Sequence, residues 1–168
     1  GSMKYYLTKP ILRWKIYLSK LLTIYIFILF VSTYILFVYL ILIDKIDKSF
    51  IIMYYKYTIP LYLIGSICLF VSSIIKNTSL CIGINIFISV FSTLLSQILF
   101  GINFNIIEYS FLPYVDFSIF LDMKAIKLMN SELGINLSLN RGIYIDIIYS
   151  FIFYIFGNSI FNNKDIRN

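Results

Sequence analysis

The chain contains no histidine among its 168 residues. Histidine is the commonest metal ligand and a frequent general base, so its absence argues against most metal sites and most acid–base catalysis. The sequence also lacks a G-x-x-x-x-G-K-[ST] loop, a G-x-S-x-G turn and an H-E-x-x-H pair. These are signatures of nucleotide binding, serine hydrolysis and zinc peptidase activity. We therefore expect that the chain by itself is not an enzyme and holds no cofactor or metal.

Charged residues and cysteines are also scarce. Hydrophobic residues make up 60% of the chain and charged residues 13%, whereas soluble domains are about half apolar and about a quarter charged. Lipid must therefore surround most of the chain. Cys68 and Cys81 lie inside apolar segments, where a cysteine normally serves as a small packing side chain rather than as half of a disulfide.

Four apolar runs are long enough to cross a bilayer as helices. The runs are residues 21–43, 57–75, 80–100 and 143–161. Each has close to the about 20 residues that a helix needs to cross the hydrocarbon core, and none alternates as a barrel strand would. The sequence predicts an all-α, polytopic helical membrane protein with a single transmembrane domain over 4–168. Residues 1–3 are interpreted as a cleavage remnant and the start of the natural chain.

The stretch 102–142 differs from the four runs. Its first half is apolar but carries Glu108, Pro113 and Asp116, and charges at mid-bilayer are costly. We expect a re-entrant or interfacial hairpin broken near Pro113, on the outer side of the membrane. The second half predicts a polar loop with a short helix around 123–133. The acids that could take part in acid–base chemistry are Glu108, Asp116 and Asp146. The simpler explanation is that they lie at the outer interface without a catalytic role.

The distribution of lysine and arginine predicts the orientation. With four spans, the N-terminal segment, the turn at 76–79 and the tail share one side, which carries eight cations against six on the other side. Cytoplasmic segments are enriched in lysine and arginine. This bias places both termini in the cytoplasm.

A polar stripe runs along the third span. Its members are Asn85, Ser89, Ser92 and Ser96, with Thr93 and Gln97 adjoining. Their spacing puts them on one face of a helix. On the second span, a separate stripe of small residues is formed by Gly65, Cys68 and Ser72. Small and hydroxyl side chains are typical of helix–helix interfaces in membranes. The stripe on the third span therefore predicts a packing face, with the lining of a substrate path as the alternative.

The densest cationic stretch is "KPILRWKIYLSKLL" at residues 9–22. On a helix, Lys9, Arg13 and Lys20 share one face, whereas Trp14 and several aliphatic side chains gather on the opposite face. We predict an amphipathic helix over residues 4–20 that lies along the cytoplasmic interface and continues into the first span. A surface anchor and a docking element for a protein partner are both consistent with this pattern.

Several short motifs resemble type-2 ATP-binding-cassette (ABC) permeases. "PILR" at 10–13 and "SKLL" at 19–22 resemble the P-[IV]-x-R…x-K-L-L stretch before the third transmembrane helix of that family. "FNNKDI" at 161–166 is similar to the F-x-x-[KR]-D-[IL] ending after the last helix. "IIKN" at 74–77 resembles the cytoplasmic turn between the fourth and fifth helices, and the segment with Pro113 matches the family's re-entrant hairpin in position.

The resemblance implies a permease subunit of an ATP-driven exporter in the bacterial cytoplasmic membrane. Such a subunit moves a peptide, drug or other amphiphile and pairs as a homodimer or heterodimer of permease chains. ATP is bound by a separate cytoplasmic ATPase, and no nucleic-acid partner is expected. Some family members protect bacteria against antimicrobial peptides. Residues 4–20 match the coupling helix, and the ATPase-docking residues implied are Lys9, Arg13, Trp14 and Lys20.

The resemblance also predicts two spans that have no counterpart in these 168 residues. Family members usually have six, and the two before the coupling helix are missing here. A trimmed chain, a naturally short subunit and a remnant without transport activity remain open. The alternative function is a small four-helix accessory, immunity or scaffolding membrane protein that does not transport.

Overall fold

The computed structural model describes residues 12–42, 48–101, 108–115, 117, 120, 123–134 and 136–163. The helices are α1 (Arg13–Leu42), α2 (Lys48–Tyr57), α3 (Ile59–Ile74), α4 (Thr78–Gly101), α5 (Met123–Leu133) and α6 (Leu139–Asn163), with a short 3-10 helix at Leu112–Tyr114. The described residues include no β-strand. Four helical stretches, corresponding to α1, α2 with α3, α4, and α6, are long and apolar enough to cross a membrane. The predicted fold class, an all-α membrane protein with four spanning helices, is confirmed.

Helix α1 is longer than the predicted first span. It has 30 residues and therefore a length of about 45 Å, whereas the hydrocarbon core of a bilayer is about 30 Å thick. Residues 13–20, predicted to lie along the interface, continue without a break into the span, because 13–42 contains no proline or glycine. Residues 4–11 of the predicted interfacial helix lie outside the described residues.

The second span is made of two helices that meet at Thr58. Pro60 stands in the first turn of α3, and proline has no backbone N–H with which to continue the hydrogen bonds of α2. At the junction, the N–H of Thr58 instead donates to the carbonyl oxygen of Tyr55 at 3.2 Å. The helical stretch consequently begins at Lys48, nine residues before the predicted start at Tyr57.

Helix α3 lies at the centre of the bundle. It packs most extensively on α6 and also contacts α1 and α4. Leu63 is completely buried and forms a cluster with Ile67 and Val71. On the α1 side, Gly65 lies against aliphatic side chains, and the hydroxyls of Ser66 and Tyr25 are hydrogen-bonded at 2.6 Å. The small residues of α3 therefore allow its neighbours to approach closely.

The segment around Pro113 enters the bundle rather than lying outside it. Val115 belongs to the buried cluster of α3, and the ring centroid of Phe111 is 5.7 Å from that of Phe153. Phe153 is 14 residues beyond the start of α6, about 21 Å along its axis. The described residues of this segment therefore pack among the helices. Its re-entrant or interfacial placement in a bilayer stays a prediction, and Asp116 lies outside the described residues.

Candidate functional site

The N-terminal part of α1 is bound to the C-terminal end of α6, and we call this contact the basic end. A guanidinium N–H of Arg13 donates to the backbone carbonyl oxygen of Asn162 at 2.9 Å. The ammonium of Lys20 lies 5.3 Å from the ring centroid of Phe161. The last carbonyls of a helix lack partners within the helix and carry partial negative charge, so cations are stabilising there. Two of the predicted ATPase-docking residues therefore also join α1 to α6.

Tyr17 fills the space between the two helices at the basic end. Its side chain is only 1% exposed and its ring contacts those of Tyr154 and Phe161, with centroid distances of 5.8 and 5.6 Å. Opposite its hydroxyl lies Gly157, where an added Cβ would overlap the tyrosine. The missing side chain at Gly157 is therefore required for this close approach.

The remaining predicted docking residues are Trp14 and Lys9. Trp14 is 40% exposed, and the ammonium of Lys15 lies 5.7 Å from its ring centroid. Lys15 is exposed as well. Lys9 lies outside the described residues. Trp14 and Lys15 thus provide an exposed aromatic and cationic surface beside the contact with α6.

The polar stripe of α4 faces α3 and the hairpin. Asn85 and Ser89 line a void of about 10 Å³ together with Cys68 and Val115, which is about the space that one water requires. The Ser89 hydroxyl donates to the carbonyl oxygen of Ile86 at 2.9 Å, a bond within its own helix. In this packing, the first part of the stripe is a helix interface.

The C-terminal part of the stripe is more enclosed. Ser92 and Ser96 are both buried, and the Ser92 hydroxyl donates to the carbonyl oxygen of Ser89 at 2.9 Å. The side chain of Gln97 is outside the described part of the chain. Asn85 and Ser89, by contrast, are only half-buried.

At the opposite end of α6, an ion pair joins the hairpin to the first turn of the helix. Oε2 of Glu108 lies 3.2 Å from the guanidinium of Arg141 and accepts the backbone N–H of Asn136 at 2.8 Å. The guanidinium also donates to the carbonyl oxygen of Asn136 at 3.0 Å. Its central carbon lies 4.6 Å from the ring centroid of Tyr109, a distance suited to a cation–π contact. We call these four residues the hairpin clamp.

Tyr114 lies below the hairpin clamp and is completely buried. Its hydroxyl donates to the backbone carbonyl oxygen of Glu108 at 3.1 Å. Burial raises the pKa of Tyr114 to about 12, so the hydroxyl remains a donor at physiological pH. The ring lies against Gly142 of α6, where an added Cβ would be 2.5 Å from Cδ1 of the tyrosine and 3.1 Å from the ring of Phe117. The hairpin can pack this closely only against a residue without a side chain.

Of the three acids considered for catalysis, the structure describes Glu108 and Asp146. Glu108 is held in the hairpin clamp, and Asp116 is outside the described residues. Asp146, expected at the outer interface, is instead 1% exposed, and neither of its carboxyl oxygens has a hydrogen-bond partner. The described residues contain no group of three or more potential metal-ligating side chains.

A cavity of about 430 Å³ lies between α1, α3 and α6. Its walls are mainly apolar, and the lining residues with hydroxyl groups are Tyr25, Tyr62, Ser150 and Tyr154. Residues Ile147 and Ser150 of its wall stand directly after Asp146 and one helical turn beyond it.

Comparison with protein families gives one match. The model of the family described as "Protein of unknown function (DUF2705)" covers residues 1–167. The chain belongs to the DUF2705 family. No curated protein and no solved structure matches the chain. Because the DUF2705 match spans nearly the whole chain, the basic end, the stripe and the hairpin all lie within this family's sequence.

The sequence patterns did not predict several contacts of this DUF2705 chain. They involve Tyr17, Tyr114, Gly142 and Gly157, whose partners lie far away along the chain. Two glycines in an otherwise bulky apolar helix are a signal for close approach of another element. That signal identifies the helix face but not the residue that packs on it.

Proposed function

We propose that the chain is the transmembrane permease subunit of an ATP-driven ABC exporter, with a separate ATPase bound at the basic end. The complex would move a peptide, drug or other amphiphile across the bacterial cytoplasmic membrane. The observation that carries this proposal is the hydrogen bond from Arg13 to Asn162. It joins the two segments whose residues resemble the coupling helix and the tail of type-2 permeases, although they are 149 residues apart.

The packing provides a route from the basic end to the hairpin. A force on Trp14 and Lys15 would act on α1, which is bound to α6 through Arg13 and through the buried ring of Tyr17. Helix α6 carries Gly142 at its other end, directly beneath the hairpin. A rigid helix with packed contacts at both ends can transmit such a displacement. ATPase movement would therefore shift the hairpin relative to the bundle.

The substrate path of the proposed exporter would lie between two permease chains. Within the described part of one chain, Ser92 and Ser96 are buried and the other stripe residues are half-buried. The void beside the stripe is about 10 Å³. Helix α4 also exposes large apolar side chains, among them Ile82, Ile86 and Phe87. This face is suited to contact with lipid or with a second permease chain.

The second candidate is a four-helix accessory, immunity or scaffolding protein without transport. The observation that favours it is the same close packing of the stripe, because a non-transporting protein needs no path. Protection against an antimicrobial peptide measured after ATP depletion separates the two functions. An exporter loses the protection, whereas a passive immunity protein retains it.

The proposal is tested by reversing charge at the basic end. With an ABC ATPase co-expressed, the Arg13→Glu/Lys20→Glu variant is expected to retain about tenfold less ATPase during purification than the parent chain, a change of about 1.4 kcal/mol. Because both residues also contact α6, Lys15→Glu supplies a second test, in which the α6 contacts are unchanged. It should weaken the association while leaving thermal unfolding unaltered.

The matched control is Lys124→Glu/Lys127→Glu on α5, which makes the same change in charge at exposed positions. This control should retain the ATPase at the parental level. If both basic-end variants also retain it, the ATPase does not dock there and the proposed coupling fails.

A further inference from the structure

Asp146 is the one side chain among the described residues with both carboxyl oxygens buried and without hydrogen-bond partners. It is 1% exposed and lies seven residues beyond the start of α6, about 10 Å along the helix. An isolated ionised carboxylate in an apolar environment costs several kcal/mol even after relaxation of the protein. An ionisable residue at such a position in a membrane helix normally has a functional role.

The neighbouring ionisable groups do not neutralise this carboxyl. On the hairpin, Glu108 binds Arg141 of α6, and the Tyr114 hydroxyl donates to a backbone carbonyl. On the second span, Tyr57 donates to the carbonyl oxygen of Phe120 at 3.4 Å, while Tyr62 lines the cavity. Among the described residues, no cation or donor reaches Asp146. The packed arrangement is therefore suited to the neutral carboxylic acid.

The position of the hairpin determines whether water can reach this acid. Tyr114 packs on Gly142, one helical turn before Asp146, and Ile145 belongs to the buried cluster of Tyr114 and Phe117. Removal of the hairpin would uncover this face of α6. An acid that is solvated becomes ionised near neutral pH, because its charged form is then hydrated.

We infer that Asp146 is a proton-binding site linked to the hairpin. The carboxyl group holds its proton while the hairpin is packed against α6. When the hairpin separates, the O–H bond breaks, the proton passes to water and the carboxylate remains. Alkaline conditions therefore favour the separated hairpin. This inference rests on the packing of Asp146 and does not depend on ATP-driven transport.

The test uses infrared spectroscopy of the full chain in lipid, which detects the C=O stretch of protonated carboxyl groups. The parent chain should show this band at neutral pH, and Asp146→Asn, which keeps the shape of the side chain but cannot ionise, should lack it. The absence of the band from the parent chain, or its persistence at full strength in Asp146→Asn, would overturn the assignment. The measurement on the parent chain remains decisive if the variant does not fold.

The link to the hairpin is tested in the same experiment with Gly142→Ala, whose added Cβ displaces Tyr114. The band should weaken at neutral pH, because water then reaches Asp146. An unchanged band in a variant of lowered stability would show that the proton and the hairpin are independent. As a further readout, the parent chain should lose thermal stability as the pH rises above the usual range of a carboxyl group, whereas Asp146→Asn should lose less.

Discussion

Gly142→Ala is expected to lower the free energy of unfolding by about 1–3 kcal/mol, the usual cost of inserting a methyl group into a packed interior. The added Cβ would be 2.5 Å from Cδ1 of Tyr114, and the tyrosine ring cannot move freely because it is completely buried. The change is measured by denaturant- or heat-induced unfolding in detergent micelles, followed by circular dichroism.

The control for this substitution is Gly83→Ala on α4, where nothing lies within 4 Å of the added Cβ. Alanine is favoured over glycine within a helix by about 1 kcal/mol, so this variant should be unchanged or slightly more stable. Equal effects of the two substitutions would mean that the hairpin does not pack on Gly142.

Arg141→Ala is expected to destabilise the chain by about 1.5–3 kcal/mol, the range for hydrogen bonds to charged groups. The Glu108 side chain is only 14% exposed and would keep the N–H of Asn136 as its remaining partner within the clamp. Glu108→Gln should cost less, because a neutral amide can still accept that N–H. The double variant isolates the interaction between the two side chains, which should be about 0.5–3 kcal/mol.

Glu132→Gln provides the control for the clamp, because it removes an acid from an exposed position on α5. Its stability should equal that of the parent chain. A coupling free energy near zero between positions 108 and 141 would show that the ion pair does not hold the hairpin.

The spanning helices were predictable because their signal is local. Composition and run length identify a membrane helix directly, and the four predicted spans correspond to α1, α2 with α3, α4, and α6. The helix boundaries were less accurate. The second span was expected to start near Tyr57, but the helical stretch begins at Lys48.

The hairpin was partly predictable. Pro113 and Glu108 in an apolar stretch argue against a fifth span, and the described part of this stretch holds a short 3-10 helix at Leu112–Tyr114 rather than a long helix. What the sequence could not provide is the depth of entry, because this depends on contacts such as that of Val115 with the cluster of Leu63, Ile67 and Val71. Those partners belong to another helix.

The burial of Asp146 also depends on contacts with other elements that the sequence does not reveal. Its place near the start of a helix predicts a position at the outer interface, but it does not reveal that the side chain is buried by protein. Likewise, the helical period of the basic segment identifies the face that carries Arg13 and Lys20. It does not show that this face contacts the end of α6, because periodicity describes one helix and not its neighbour.

The central claim, that an ATPase docks at the basic end, is tested most directly by site-specific photo-crosslinking in cells that express the ABC ATPase. A photoreactive residue is placed at Lys15, beside the exposed ring of Trp14, and in a second chain at Lys127, an exposed position on α5. If the ATPase docks at the basic end, position 15 should crosslink to the ATPase and position 127 should not. Docking at the basic end would be contradicted if position 15 gave no crosslink to the ATPase, or if position 127 gave one.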